Sequence, residues 1–257
     1  MDKVLSIFKK EFKGFVLSSN FWIVCGLATA VMSWVYPIQL NVFSQTLQNQ
    51  MYQMNMPQQQ LNIHYGVFLR HLSYLNLMLI LIVPALTMKL FSEEKKLRTI
   101  DLLLTSPVSS FQIVLGKYLS VLAAIFVMMV LAFLYPAMTA FFTKISWMPL
   151  VIAFMGIFFV AAVYSAMDLF CSSLTESAIV SFVMAVIFNV AVWFVGIGAE
   201  VMDGSLARQV FEHISLNAHL ASLVEGTVRT SSLIFFISLV SLFVFLAERV
   251  IESSRWR

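Results

Sequence analysis

"FSEEKKLRTIDLLLTSPVSSFQIVLGKYLS", Phe91 to Ser120, lies between two runs too apolar for a soluble surface. It carries Glu93, Glu94 and Asp101, with Lys95, Lys96, Arg98 and Lys117. A Thr-Ser-Pro break follows at Thr105 to Pro107. The rest of the chain is poor in charge. Of 257 residues, 60% are hydrophobic and 11% charged. An ordinary soluble domain carries roughly 25% charged residues. So little charge cannot cover so much apolar surface, which excludes a soluble bundle. The reading is an all-α polytopic membrane protein, one membrane unit over residues 1–257.

A membrane span needs roughly 20 apolar residues. Six runs meet this: Phe21–Leu40, Leu72–Leu90, Tyr118–Phe142, Pro149–Cys171, Ala178–Gly198 and Ser231–Ala247. The sixth is short, and its start is open to extension. The first run continues through "VMSWVYP" past the small residues at Ala28 to Ala30, so it reads as an uncleaved span. Cys25 and Cys171 fall in or beside apolar runs and read as small buried hydrophobes.

Lysine and arginine set the orientation. Four precede span 1, five lie between spans 2 and 3, none between spans 4 and 5, and three follow span 6, twelve in all. Only Arg70, Lys144, Arg208 and Arg229, four residues, fall on the other side. Both termini and the charged loop are therefore expected in the cytoplasm.

Residues 1–20 place Val4, Leu5, Phe8, Phe12, Phe15 and Val16 at helical spacing, with lysines mostly opposite. This is a basic amphipathic helix suited to the headgroup layer, and it doubles as the positive flank of span 1. The charged segment, residues 91–117, predicts helix, rigid turn, helix. Ser92 is placed to cap a helix with Glu93 and Glu94 in its first turn. Leu97, Ile100, Leu103 and Leu104 form an apolar stripe. Pro107 stops the helix, and Ser109 to Gln112 fit a capping box that restarts it into span 3.

From Gly14 to Leu69 there is no Asp, Glu, Lys or Arg. Within it, "QTLQNQMYQMNMPQQQ" reads as a partly ordered outer loop. Met51, Met54 and Met56 are soft-metal ligand types, but a plain flexible or amphipathic loop is the preferred reading. Residues 199–230 predict two short outer helices dipping back toward the membrane, a re-entrant arrangement.

Catalytic chemistry is missing from the motifs. The phosphate-cradling G-x-x-x-x-G-K-[ST] loop is absent; the one Gly-Lys, Gly116-Lys117, precedes Tyr118. H-E-x-x-H is absent, and Glu212, His213 and His219 have poor spacing for zinc. No catalytic residue, metal site, bound cofactor or nucleic-acid partner is expected for this chain. Within the spans, Asp168 is the clear carboxylate. It is either a functional acid or an interfacial, capping or lysine-paired group. Asn189 is placed to hydrogen-bond across helices.

The stretch "PALTMKLFSEEKKLRTIDLLLTSPVSSFQIVLGKYLS" resembles the membrane subunit of ABC-2-type transporters. It looks closest to the gliding-motility and copper-enzyme-maturation permease branch. The matching positions are Glu93, Glu94, Lys95, Lys96, Thr99, Asp101, Leu102 to Leu104, Pro107, Gly116 and Lys117. Arg98 stands where glycine is usual, and Asp101 where glutamate is usual. The outer "ISLNAHLASLVEGTVRTSSLIFF" is also similar to that branch. The resemblance implies a bacterial inner-membrane exporter subunit that pairs with a second permease copy or a homologous one. A separate ABC ATPase, holding ATP and Mg, docks beneath. It also admits an auxiliary periplasmic subunit. The charged loop would be the coupling helix, with Glu93, Glu94, Arg98, Thr99, Asp101, Leu103 and Pro107 at the ATPase contact. The N-terminal helix would be the interfacial elbow.

Two rivals differ in class. A membrane enzyme needs a reactive cluster that the sequence lacks. A membrane scaffold that recruits the ATPase to regulate an envelope process needs the same docking loop.

Overall fold

The computed structural model describes residues 2–53, 62–100, 108–201 and 205–254. Among these residues every regular element is a helix and there is no strand. In chain order they are α1 (Asp2–Leu17), α2 (Ser19–Gln53), a π-helical turn at His64–Phe68 that continues into α3 (Leu69–Thr87), and α4 (Ser92–Lys96). Then come α5 (Ser110–Thr139), α6 (Trp147–Leu174), α7 (Ala178–Val201), α8 (Ser205–Ile214), α9 (Leu216–Val224) and α10 (Thr230–Ser254).

Six helical stretches are long and apolar enough to cross a membrane: Ser19–Asn49, His64–Lys96, Ser110–Thr139, Trp147–Leu174, Ala178–Gly196 and Thr230–Ser254. They agree in number and order with the six expected from sequence. All six differ in length from the expected runs, and all but the fifth are longer. The sixth gains its turns at the far end, running past Ala247 to Ser254. The helix that holds the first, α2, is 35 residues long. At the α-helical rise that is about 52 Å, well beyond a hydrocarbon core of about 30 Å. The polar uncharged stretch expected as a partly ordered loop is therefore helical as far as Gln53. Between Ile38 and Gln53 it has neither glycine nor proline, and it is rich in glutamine and leucine, which favour helix. Met54 and Met56 lie outside the described residues.

Helix α6 is the centre of the bundle. Of its most apolar window 72% is buried inside the protein, against 17% for α7. Small residues explain this position. Ala153, Gly156, Ala161, Ala166, Ser165 and Ser172 are all buried and let neighbouring backbones approach. At Gly156 a Cβ would stand 2.8 Å from Leu223 Cβ, so glycine is what admits α9 against α6. Helices α2, α7 and α10 instead turn large apolar side chains outward, such as Trp34, Ile179 and Ile234. On a bundle of this hydropathy those faces are lipid-facing.

Prolines sit inside α2, α3 and α5, at Pro37, Pro84 and Pro136. Pro136 has no N–H, so the carbonyl of Ala132 one turn earlier loses its helical donor. His71 Nε2 of α3 stands 3.1 Å from that carbonyl oxygen and donates to it. The repair brings a polar group of one span to a broken rung of another. Tyr36 of α2 packs edge-on to the His71 ring at 5.1 Å. Tyr135 of α5 donates to the Thr29 carbonyl of α2 at 2.9 Å.

Candidate functional site

The site grows from one buried cation. Lys117 lies about two turns into α5, and its side chain is only 2% exposed. A buried ammonium persists only where charges and hydrogen bonds compensate it. Here Nζ stands 3.1 Å from Glu11 Oε1 of α1 and 2.8 Å from Glu94 Oε1 of α4. It also lies 5.3 Å from the centroid of the Phe91 ring. One side chain thus ties the amphipathic helix, the loop helix and the third span together.

The residue before it makes the approach possible. A Cβ at Gly116 would stand 2.8 Å from Ile7 Cγ2 and 3.2 Å from the Val4 carbonyl oxygen. Without a side chain there, α1 packs directly on α5. Leu5 and Leu17 of α1 remain exposed, on an apolar surface that no described residue covers. The Gly-Lys pair is therefore a packing contact followed by an ionic tie.

Helix α4 is held from a second direction. Ser92 was expected to cap it, but the cap position is Phe91 and no side chain of the loop caps the helix. Ser92 Oγ instead donates back to the Met88 carbonyl. The capping acceptor comes from α6. Ser172 Oγ accepts from the Phe91 N–H at 3.1 Å and the Ser92 N–H at 3.3 Å, and it lies 3.2 Å from the Met88 carbonyl. Lys95 Nζ donates to the Ser173 carbonyl, at the end of α6 where the helix dipole is negative.

The loop helix is shorter than the sequence stripe implied. It ends at Lys96, and Thr99 and Ile100 begin helical backbone again. The break falls at Arg98, whose φ of 55° is the left-handed conformation that glycine favours. Its N–H donates to the Lys95 carbonyl at 3.1 Å, and the Thr99 hydroxyl donates to the Glu94 carbonyl at 3.3 Å. Both close the C-terminal end of α4 in the manner of a left-handed cap. Arginine here thus takes a conformation that glycine favours, at some steric cost. Of the stripe, Leu97 is 64% exposed and Ile100 is buried.

The expected contact residues separate into groups. Glu93, Arg98 and Thr99 are exposed. Glu94 is turned inward to Lys117. Asp101, Leu103 and Pro107 lie outside the described residues. The capping box that follows is present: Ser109 Oγ accepts from the Gln112 N–H at 3.3 Å, and Gln112 Oε1 accepts from the Ser109 N–H at 3.2 Å. One residue on, Ser110 Oγ donates to Glu252 of α10, which fixes the last helix to the start of α5.

The two intramembrane polar residues meet. Asn189 Nδ2 of α7 donates to Asp168 Oδ2 of α6 at 3.3 Å, and both residues are fully buried. Among the described residues, Asp168 Oδ1, Asn189 Oδ1 and the Tyr164 hydroxyl have no hydrogen-bond partner. No three His, Cys, Asp or Glu side chains converge among the described residues. His219 stacks on Phe235 at 4.1 Å, and its two nitrogens face Ser232 Oγ and the His213 carbonyl.

Glu11, Ser172 and Ser173 belong to this region and were not singled out from sequence. Glu11 had one signal, an acid set among Lys9, Lys10 and Lys13 of α1. Ser172 and Ser173 had another, a pair of hydroxyls at the end of an apolar span.

A family model described as ABC-2 family transporter protein matches residues 5–256. No curated protein matches the chain. The match covers the elements assembled above, from α1 to the end of α10, and the family implies a membrane permease that partners an ABC ATPase subunit. The chain belongs to the ABC-2 transporter family, as a multi-pass membrane protein built on six apolar helices.

Proposed function

We propose that this chain is the permease subunit of an ATP-driven exporter, and that α4 is the element on which a separate ATPase acts. The supporting observation is the double anchoring of a very short helix. Glu94 and Lys95 face inward to Lys117 and Ser173, while Glu93, Leu97, Arg98 and Thr99 face outward. A large exposed apolar residue flanked by charge suits a protein contact, where charge sets register and the apolar group contributes burial. Through Lys117 a push on α4 reaches α5 and α1, and through Ser172 it reaches α6.

In this reading both termini and α4 face the cytoplasm of a bacterial inner membrane. Two permease subunits form the transport path. The short helices α8 and α9 form the outer, re-entrant segment. ATP and Mg reside in the ATPase. Asp168 and Asn189 are a paired polar contact inside the bundle, and the contact surface extends through Asp101, Leu103 and Pro107.

The test is co-expression with the neighbouring ATPase. Changing Asp101→Arg together with Leu103→Asp, or Leu97→Asp alone, is expected to abolish co-purification and permease-stimulated ATPase activity. Unchanged assembly and unchanged stimulation would sink the coupling role. ATP-dependent transport in reconstituted vesicles separates the exporter from a scaffold, which would show assembly without transport.

A further inference from the structure

At the end of the bundle opposite α4, a cleft of about 720 Å³ opens between the first turns of α3, α6, the later turns of α7 and the short helix α9. Its walls are largely apolar, with Leu72 and Leu77 of α3, Ile157 of α6, and Leu220 and Val224 of α9. Among the described residues that line it, Arg70 is the one that carries a charge, and none is an acid. Arg70 is exposed and makes no ion pair or hydrogen bond among the described residues. The cleft therefore holds one cation that the chain leaves uncompensated. Tyr74 and Leu77 also line it and are 48% and 50% exposed, on a helix that is long and apolar enough to cross the membrane. The opening thus faces sideways, toward lipid.

The lining changes with depth. Arg70 stands two residues before the apolar run Leu72–Leu90. Tyr74 and Trp193 flank the cleft, and such rings collect at headgroup level. Asn76 lies about 9 Å further along α3 at the α-helical rise. Its side chain makes no hydrogen bond among the described residues. The amide oxygen is sealed in the wall, so the N–H2 group is the end available to a ligand. Leu77 and Ile157 continue the wall as hydrocarbon. A phospholipid runs in the same order: charged head, ester carbonyls, acyl chain. A guanidinium offers a planar fork that fits phosphate oxygens. A head with its own ammonium would set that charge beside Arg70, with no carboxylate in the wall to receive it. We infer that the cleft holds one phospholipid whose headgroup is anionic and lacks an ammonium. Its phosphate lies at Arg70, an ester carbonyl at Asn76, and an acyl chain along Leu77 and Ile157. The inference rests on α3 crossing the membrane, and on neither ATPase docking nor transport.

The probe is native mass spectrometry of the full chain in detergent. Phosphatidylglycerol, phosphatidylcholine and phosphatidylethanolamine of one acyl composition would be added in turn. A charge-assisted contact to an uncompensated guanidinium predicts retention of phosphatidylglycerol about tenfold above the other two. Arg70→Gln changes an exposed, unpaired side chain, so the unfolding midpoint without added lipid should stay at the wild-type value. Its retention of phosphatidylglycerol should fall about tenfold, to the level of phosphatidylcholine. Lys144→Gln removes an exposed cation at the same end of the bundle but outside the cleft, and should leave the preference intact. Ala221→Trp should fill the slot and lower retention of all three lipids. If that variant does not fold, Arg70→Gln and Lys144→Gln carry the test. Equal retention of the three lipids, or a preference that survives Arg70→Gln, would overturn the assignment. So would an equal loss in Lys144→Gln, which would mean diffuse attraction to the surface. Displacement of phosphatidylglycerol by soluble glycerol phosphate would also overturn it, since the head alone would then suffice. A second copy or a partner protein found seated in the cleft, with no lipid retained, would do the same.

Discussion

Lys117 Nζ stands 2.8 Å from Glu94 Oε1, so the ammonium of a membrane span is neutralised by a carboxylate of the loop that precedes it. The same nitrogen reaches Glu11 at 3.1 Å. The position of α4 is thus tied to α1 and α5 by the chain's own side chains.

Replacing Lys117 by methionine keeps the bulk of the side chain and removes its charge. Two mostly buried carboxylates are then left facing each other. Breaking a buried pair in this way costs about 3 kcal/mol or more. A lowered thermal unfolding midpoint in detergent is the expected result. A second change, Glu94→Gln, should recover part of the loss by removing one orphaned charge.

Ser172→Ala deletes a cap that reaches α4 from another span. The Phe91 and Ser92 amides then lose their acceptor in a buried setting. A lost N-cap costs about 1 kcal/mol. Hydrogen exchange should show faster exchange at those two amides, with α6 itself still protected. Exchange unchanged from wild type would mean that another group caps α4.

Arg98→Gly is expected to stabilise the loop. Arginine at φ 55° bears a left-handed penalty that glycine avoids, worth about 1 kcal/mol. Glycine also loses more freedom on folding, which offsets part of the gain. The readout is slower hydrogen exchange between Lys95 and Ile100. If ATPase co-purification falls in the same variant, the guanidinium belongs to the contact.

Asn189→Leu leaves Asp168 buried without its amide donor. An unsatisfied buried polar group costs about 1–3 kcal/mol. The variant should unfold at lower temperature, and Asp168→Leu combined with it should restore much of the stability. If the double variant is as unstable as the single one, the pair is not what couples α6 to α7.

Much of this architecture was legible in the chain. Span number and order followed from hydropathy, because a lipid-facing helix must be apolar over its whole length. The Ser109 to Gln112 box was legible because both of its partners lie within one turn. What escaped depends on distant contacts. Ser172 caps α4 across eighty residues of sequence, and nothing in "FSEEKK" announces that its cap is supplied elsewhere. Glu94 could not be assigned an inward direction until the break at Arg98 shortened the helix and fixed its rotation. The α2 overhang was missed because a polar composition was read as loop, although its residues favour helix. Arg98 is the intermediate case. The mismatch with the resembled motif was visible, and only the backbone angle shows that arginine here takes a glycine-like conformation.

The hydrogen bond from His71 to the Ala132 carbonyl has a mechanical consequence. A proline within a span is ordinarily a joint about which two half-helices can bend. Here the gap made by Pro136 is clamped by a ring from the neighbouring span, so bending α5 at that point would tear a buried hydrogen bond. The first half of α3 and the last half of α5 are therefore tied into one lever arm, and any relative sliding must be taken up along their other neighbours.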